Sequence, residues 1–269
     1  MKSKKITVTD ILGMKKEGKK ITALTAYDYL FGSLLDEAGL DIILVGDSCA
    51  MVVQGRETTL PFSMEDAIYH SKAVRRGVKR ALLIADMPFL SYQVSDDKAV
   101  EHAGVLFKTA DVDAVKLEGG QAIAGAIKRI VTAGMPVMGH LGLTPQSIKT
   151  FGSYDTRAKE PQEAEQLLQD ALSLQDAGAF AVVLEKIPAE LAKKVTRALT
   201  IPTIGIGAGP FCDGQILVTQ DMLGIFDKFR PKFVRRYADL AHEIRNACQK
   251  YADEIRNGTF PSSTESFND

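Results

Sequence analysis

The sequence predicts an α/β fold, and among α/β folds it favours a closed (β/α)8 barrel. Eight short apolar segments are each followed by polar or glycine-rich residues, and most of them then lead into a helical pattern. Regular alternation of strands and helices is typical of a mostly parallel sheet. The 269 residues also suit one barrel, which typically needs about 250 residues. An open, doubly wound sheet remains the second possibility, because alternation alone does not show closure.

The strands are predicted from continuous apolar runs, which are typical of strands buried on both faces of a parallel sheet. The clearest run, 42–45, leads directly into Gly46, Asp47 and Ser48. The predicted strands cover residues 21–26, 41–46, 81–85, 114–117, 136–138, 180–184, 202–206 and 216–218.

The helices are predicted from capping residues and terminal glycines. Hydroxyl and acidic residues at 7–10 open a short N-terminal helix that ends near 16–18, and Ser63 with Asp66 forms a variant of the capping box. Gly39, Gly134 and Gly178 are expected to end the helices before them. The helices between strands are predicted at 29–38, 63–76, 96–109, 122–133, 163–177 and 189–199, and a long C-terminal helix at 232–256.

Two segments are predicted to lie outside regular structure. Residues 144–159 form a polar loop that is longer than usual for a strand–helix connection, and such loops are often functional. Residues 259–269 form a flexible C-terminal tail. We therefore expect one barrel domain over residues 1–258, followed by this tail.

Composition argues against several functional classes. The formal net charge is −1 without a long block of either sign, so we expect no nucleic-acid partner. No apolar run approaches the roughly 20 residues of a membrane span, and the positively charged start lacks the apolar segment of a secretory signal. The three cysteines form no C-x-x-C pair, which indicates reduced thiols in a cytoplasmic protein.

Ionisable side chains recur at the ends of five successive predicted strands. They are Asp47 (followed by Ser48), Asp86, Lys116 with Glu118, His140, and Glu185. In a barrel these strand ends meet at one mouth, where substrates bind. Three carboxylates at one mouth repel one another, and a hard divalent cation such as Mg²⁺, held by oxygen ligands, resolves that repulsion. Lys116 is two residues from Glu118 and shares its face, where an ammonium group suits an enolate or carboxylate oxygen.

Each of these residues also has a structural explanation. Asp47 or Asp86 could cap a following helix, and Lys116 could be a solvated strand end. His140 could be a hydrogen-bonded structural residue, and Glu185 could favour the N-terminus of the next helix. Their joint occurrence in one register is what favours a functional site.

A glycine-rich segment at 205–209 follows the seventh predicted strand. It lacks the G-x-G-x-x-G spacing of a dinucleotide loop and comes late in the chain. A phosphate cradle, which barrels often form after strands seven and eight, and close packing at the mouth remain equal alternatives.

Five segments resemble the ketopantoate hydroxymethyltransferase family, and they occur in the family's order. They are Gly46-Asp47-Ser48, Ala85-Asp86-Met87-Pro88, Val115-Lys116-Leu117-Glu118-Gly119-Gly120, Gly139-His140-Leu141-Gly142-Leu143-Thr144-Pro145-Gln146 and Gly205-Ile206-Gly207-Ala208-Gly209. The resemblance covers the chain from about residue 6 to 256.

The resemblance implies a barrel of the phosphoenolpyruvate/pyruvate-type superfamily, assembled as a homodecamer of two pentameric rings. It implies transfer of a hydroxymethyl group from 5,10-methylenetetrahydrofolate to 3-methyl-2-oxobutanoate through a Mg²⁺-stabilised enolate, giving ketopantoate in pantothenate biosynthesis. The site residues that it implies are Asp47, Asp86 and Glu118 as Mg²⁺ ligands; Asp47, Ser48, Asp86 and Lys116 around the 2-oxo acid; and Glu185 as general base. We add His140 to the substrate pocket.

Two other functions remain to be weighed. A Mg²⁺-dependent lyase or mutase acting on a phosphorylated or dicarboxylic 2-oxo acid would need arginines for the second anionic group. The predicted strand ends carry Lys116 but no arginine, although Arg56 and Arg157 lie in loops. A non-catalytic barrel would be indicated by missing carboxylates, and all are present. The sequence does not distinguish Mg²⁺ from Mn²⁺ or Co²⁺.

Overall fold

A computed structural model describes residues 4–227 and 231–267, and within them eight parallel strands close into a barrel in sequence order. The strands are β1 (Ile21–Thr25), β2 (Ile42–Val45), β3 (Leu82–Asp86), β4 (Ala114–Glu118), β5 (Val137–Gly142), β6 (Ala181–Glu185), β7 (Thr203–Ile206) and β8 (Gly214–Leu217). Pairing of β1 with both β2 and β8 closes the sheet. The predicted (β/α)8 barrel is confirmed, and the open sheet is wrong.

Helices alternate with the strands along the chain, as predicted. They are α1 (Val8–Lys16), α2 (Tyr29–Glu37), α3 (Cys49–Val52), α4 (Met64–Gly77), α5 (Asp96–Ala110), α6 (Ala124–Thr132), α7 (Ile148–Phe151), α8 (Pro161–Asp176), α9 (Ala189–Ala198), α10 (Thr219–Met222) and α11 (Leu240–Arg256). Ser63 and Asp66 form the predicted capping box at the start of α4. Gly134 and Gly178 follow α6 and α8 with φ angles of 89° and 99°, which glycine adopts most readily.

The chain divides into two compact units, one ending at Val218 and one beginning at Thr219. The first contains the barrel. Within the second, backbone hydrogen bonds join the residues after α10 to the start of α11, for example from the Ala241 N–H to the Gly224 carbonyl at 3.1 Å. The single domain over 1–258 and the tail over 259–269 stay predictions, and residues 1–3, 228–230 and 268–269 lie outside the described residues.

Several predicted boundaries are wrong. The C-terminal helix begins at Leu240 rather than at residue 232, because the Tyr237 N–H donates to Met222 O at 2.8 Å instead of to a helical carbonyl. The eighth strand begins at Gly214 rather than 216, since its pairing with Ile21 fixes the register. The segment 144–159 is not all loop: it contains a 3-10 turn, Pro145–Ser147, and α7.

Alternate strand residues fill the barrel with apolar side chains. The core cluster includes Ile42 and Leu44 of β2, Leu82 and Ile84 of β3, and Ile204 of β7. Two residues of the N-terminal segment, Ile6 and Ile11, belong to the same cluster. Since the cluster also contains the first residues of β1 to β4, α1 packs against the amino ends of the strands and leaves their carboxyl ends free for the site.

Three aspartates fix the strand register at the amino ends. Asp41, Asp113 and Asp213 immediately precede β2, β4 and β8. Each carboxylate accepts a hydrogen bond, at 2.9 Å, from a backbone N–H near the start of the preceding strand; the donors are Thr22, Leu83 and Thr203. A one-residue slip would break these bonds and turn inward side chains outward, so they help to bring the right residues to the mouth.

We expect Gly77→Ala to lower the free energy of unfolding by about 1–3 kcal/mol, as overpacking does. Gly77 ends α4, and a Cβ there would lie 2.6 Å from the Tyr29 carbonyl oxygen and 2.6 Å from the Ser33 nitrogen of α2. Gly104→Ala in α5 is the matched control, since a Cβ there meets nothing within 4 Å. This substitution should raise the free energy of unfolding by about 0.5–1 kcal/mol. Urea unfolding followed by circular dichroism measures both; equal effects would contradict this packing.

Candidate active site

The barrel register brings the predicted ionisable residues to one mouth. Asp86 is the pairing partner of Lys116, and Glu118 is the partner of His140. Asp47 lies two residues after the end of β2, and Glu185 is the last residue of β6. Five of these residues are only 2–6% exposed: Asp47, Asp86, Lys116, Glu118 and His140. Barrel closure therefore buries the five charged or ionisable side chains together.

Lys116 provides the positive charge at the centre of this cluster. Its Nζ lies 3.0 Å from Asp86 Oδ1 and 3.6 Å from Glu118 Oε1. Burial alone would lower the pKa of Lys116, but the charges of Asp86, Glu118 and Asp47 raise it above its ordinary value. Lys116 is therefore a buried cation and not the solvated strand end that its sequence position also allowed.

The carboxylates depend on backbone donors and on Lys116. Asp86 Oδ2 accepts a hydrogen bond from the Asp47 N–H at 3.0 Å. Asp86 Oδ1 is buried and accepts no hydrogen bond of good geometry, although it faces Lys116 as an ion-pair partner. Neither aspartate is a helix cap, because the N-cap residue is Ser48 in α3 and Ser95 in α5.

Burial and mutual repulsion act on these carboxyl groups. Burial, followed by the charges of Asp86 and Glu118, raises the pKa of Asp47 well above its ordinary value. Burial also raises the pKa of Asp86, against the opposing effect of Lys116. Although burial opposes it, His140 and Lys116 hold the pKa of Glu118 below its ordinary value. A further positive charge at the mouth would favour ionisation of Asp47 and Asp86.

His140 links this cluster to Glu185. Its Nδ1 lies 3.1 Å from Glu118 Oε1, and its Nε2 lies 3.3 Å from Glu185 Oε2. Burial and the charge of Lys116 lower the pKa of His140. Glu118 and Glu185 raise it by more, so that the pKa lies above its ordinary value, at about 9. The protonated Nδ1 therefore donates to Glu118, and its 3.2 Å approach to Lys116 is a contact between two donors.

Ser48 lies beside this cluster and is held by a tyrosine. The Ser48 Oγ is 2.8 Å from the hydroxyl of Tyr27, a residue 1% exposed. A Cβ at Gly46 would lie 2.9 Å from Ser48 Oγ and 3.4 Å from Asp86 Oδ2. The glycine thus lets the serine hydroxyl and the carboxylate approach the same point.

Sequence reasoning assigned no role to three residues of this site: Tyr27, Tyr92 and Gln146. Gln146 donates through Nε2 to Asp47 Oδ2 at 3.0 Å, and its backbone N–H donates to Glu118 Oε2 at 3.0 Å. The Tyr92 hydroxyl donates to Gln146 Oε1 at 2.7 Å. Gln146 is the last residue of the Gly139–Gln146 segment that resembles the family. That position was the only sequence feature that pointed to a role for it.

The glycine-rich segment 205–209 is explained in part by close packing. A Cβ at Gly209 would lie 2.4 Å from the Cβ of Ala189, and one at Gly205 would lie 3.0 Å from Cys212 Sγ. Gly209 also has a φ of 77°, which disfavours other residues. Packing therefore accounts for these two glycines without a phosphate.

The donor atoms at the mouth are carboxylate oxygens, the ligands that hard divalent cations prefer. Among the described residues, no three His, Cys, Asp or Glu side chains already stand in a ligating arrangement, and the Lys116 ammonium lies between Asp86 and Glu118. Across the same part of the chain, no helix has the length and apolar character to cross a bilayer.

Comparison with known proteins assigns the chain to a family. A family model described as ketopantoate hydroxymethyltransferase matches residues 5–263. The chain belongs to the ketopantoate hydroxymethyltransferase family. The 3-methyl-2-oxobutanoate hydroxymethyltransferase of Chlorobium phaeobacteroides (strain DSM 266 / SMG 266 / 2430) is 57% identical over 266 residues, covering 97% of this chain and 96% of that protein. The relative of the same name from Syntrophus aciditrophicus (strain SB) is 53% identical, covering 99% and 98%. The predictions of this family and of a transferase are confirmed.

Solved structures confirm the fold at much lower identity. A phosphonopyruvate hydrolase in complex with oxalate and Mg²⁺ matches with a TM-score of 0.61 and 14% identity, covering 97% of this chain and 93% of that one. A 2,3-dimethylmalate lyase, a member of the PEP mutase/isocitrate lyase superfamily, matches with a TM-score of 0.60 and 16% identity, covering 97% and 91%. The chain therefore has the same barrel fold as these two proteins.

We expect Lys116→Met to lower the free energy of unfolding by about 3–5 kcal/mol, because it leaves buried carboxylates without their cation. Lys98→Met is the matched control. Lys98 pairs with Glu101, but their side chains are 53% and 60% exposed, and such pairs contribute only about 0–1 kcal/mol. Urea unfolding of both variants without divalent cations makes the comparison. A Lys116→Met loss as small as the control's would contradict the central role of this charge.

Proposed function

We propose that the chain transfers a hydroxymethyl group from 5,10-methylenetetrahydrofolate to 3-methyl-2-oxobutanoate, giving ketopantoate for pantothenate biosynthesis. The observation that carries the proposal is the buried cluster of three carboxylates and Lys116, with Glu185 beside it. Relatives that are 53–57% identical over nearly the full chain carry the matching name. Cytoplasmic location and a homodecamer complete the proposal.

Asp47, Asp86 and Glu118 would hold the divalent cation, for which we propose Mg²⁺. Their oxygens are suitable hard ligands, and the buried Asp86 Oδ1 lacks a hydrogen bond, so it is available to a cation. A cation there would compete with Lys116 for Asp86 and Glu118. Bound at this place, Mg²⁺ would act as a Lewis acid toward the keto oxygen of the substrate.

Lys116 and Ser48 would bind the oxygens of the 2-oxo acid. The ammonium group of Lys116 is buried, and it contacts Asp86, Glu118 and His140 rather than an arginine. One ammonium group suits one substrate carboxylate. Arg157 is paired with Glu163, which favours the transferase. The exposed Arg56 keeps the lyase or mutase as the second candidate.

Glu185 would remove the C3 proton of 3-methyl-2-oxobutanoate, and His140 would orient the Glu185 carboxylate. Glu185 Oε2, at the end of β6, lies 3.3 Å from His140 Nε2, which is an electrostatic contact and not a hydrogen bond of good geometry. Loss of the proton leaves negative charge on the keto oxygen, near Lys116. The substrate carbon then attacks the methylene carbon of the donor, water supplies the hydroxyl group, and tetrahydrofolate leaves.

Ile206 would contact the two methyl groups at C3. It is the sheet neighbour of Glu185 and lies two residues after the core residue Ile204, so it shares the inward face of β7. It is partly buried and packs against the barrel core. An apolar surface next to the proposed base suits a branched substrate whose reacting carbon carries both methyl groups.

We expect Glu185→Gln to reduce ketopantoate formation by about 10²–10⁴-fold, the usual contribution of a general base. Binding of 3-methyl-2-oxobutanoate, measured by calorimetry with Mg²⁺ present, should change little. Glu190→Gln is the control, because Glu190 is an exposed carboxylate at the start of α9 that pairs with Lys193. Product is measured by NMR; wild-type rates in Glu185→Gln would remove Glu185 from the base role.

We expect Ile206→Ala to lower kcat/KM for 3-methyl-2-oxobutanoate by about 10–200-fold, because lost apolar contacts of this size cost roughly 1–3 kcal/mol. Deuterium exchange into pyruvate, which lacks both methyl groups, should change much less. NMR follows both substrates with the same protein. An equal loss for the two would show that Ile206 supports the fold and not substrate choice.

A further inference from the structure

Gln146 reaches two of the proposed metal ligands from a separate loop, one through its side chain and one through its backbone N–H. It lies in the 3-10 turn Pro145–Ser147 after β5 and is 5% exposed. Its side chain donates to Asp47 Oδ2 and its backbone N–H donates to Glu118 Oε2, both at 3.0 Å. Asp47 follows β2 and Glu118 ends β4, so Gln146 connects carboxylates from different strands.

The orientation of the Gln146 amide is fixed by its partners. Nε2 lies 3.0 Å from Asp47 Oδ2 and 3.0 Å from the Met87 carbonyl oxygen, and both of these groups only accept hydrogen bonds. Oε1 accepts from the Tyr92 hydroxyl at 2.7 Å and from Gln93 Nε2 at 3.3 Å. A flipped amide would place oxygen against oxygen at Asp47 and Met87, so the donor faces the carboxylate.

The neutral amide of Gln146 suits a residue that holds two carboxylates near each other. Asp47 and Glu118 repel each other, as the effect of Glu118 on the pKa of Asp47 shows. Hydrogen bonds to a carboxylate stabilise it without adding a counter-charge when the donor is neutral. A lysine or arginine in the same place would compete with a cation for these oxygens. A neutral amide and a peptide N–H hold both carboxylates and leave their charge to attract a metal ion.

We propose that Gln146 is a positioning residue that holds Asp47, and with it Glu118, in the orientation in which they share one divalent cation. This inference rests on the proposed function, because it requires that the cluster binds a metal. Gln146 touches neither substrate nor cation; it acts through the carboxylate that it holds. Hydrogen-bonding partners of metal ligands typically change metal affinity by about 10–100-fold when they are removed.

The test is Gln146→Met in the full chain, which keeps the side-chain volume and removes the amide. Gln169→Met is the matched control, since Gln169 also donates through Nε2 to a carboxylate, that of Glu165 at 3.0 Å, but on the exposed surface of α8. Mn²⁺ is the probe, because electron paramagnetic resonance counts the free ion directly. The initial rate of ketopantoate formation is then measured as a function of Mg²⁺ concentration.

We expect Gln146→Met to weaken Mn²⁺ binding by about 10–100-fold and Gln169→Met to leave it unchanged. The Mg²⁺ concentration for half-maximal rate should rise by a similar factor, while the rate at saturating Mg²⁺ falls much less. A residue that only supports the fold would lose rate at all Mg²⁺ concentrations. Wild-type Mn²⁺ affinity in Gln146→Met, or equal losses in both variants, would overturn the proposal.

Two further results are also decisive. If Gln146→Met does not fold, Gln146→Asn takes its place: it keeps the amide but is one methylene too short to reach both Asp47 and Tyr92, and unchanged Mn²⁺ affinity would overturn the proposal. If the wild-type chain does not bind Mn²⁺ but forms ketopantoate, the metal part of the proposed function fails, and this inference fails with it. If the wild-type chain binds Mn²⁺ and Gln146→Met binds it equally well, only the role of Gln146 is wrong and the proposed function stands.

Discussion

Lys116 carries an ammonium group into the barrel mouth, 3.0 Å from Asp86 and 3.6 Å from Glu118, and the remaining site is arranged around that charge. Three buried carboxylates are unstable together unless positive charge lies among them. Lys116 supplies one positive charge against the three carboxylates Asp47, Asp86 and Glu118. A divalent cation at the same mouth would supply further positive charge.

The scaffold makes this charge arrangement possible by fixing the strands at their opposite ends. Asp41, Asp113 and Asp213 each hold the preceding strand in register, and α1 covers the amino ends of the strands. At the carboxyl ends, the inward residues of β3 to β6 then lie close together at the barrel mouth. At β2, Gly46 removes the Cβ that would crowd Ser48 and Asp86. Stability and function therefore occupy opposite ends of the same barrel.

The sequence was sufficient for the strand ends and insufficient for what connects them. Asp86 and Glu118 were predictable because each follows an apolar run, and Lys116 because it lies two residues before Glu118 on the same strand. The role of Gln146 was not predictable, since its partners Asp47 and Glu118 lie 99 and 28 residues away in the sequence. The same limit explains the late start of α11: the tertiary hydrogen bond of Tyr237 to Met222 leaves no trace in local periodicity.

The central claim is that this mouth, with a divalent cation, removes the C3 proton of 3-methyl-2-oxobutanoate. Proton NMR of that compound in D₂O with the purified chain, with and without Mg²⁺ and without a one-carbon donor, tests it most directly. We predict that the C3 proton signal disappears only when the metal is present. A C3 signal that persists with Mg²⁺, with Mn²⁺ and after addition of methylenetetrahydrofolate would contradict it.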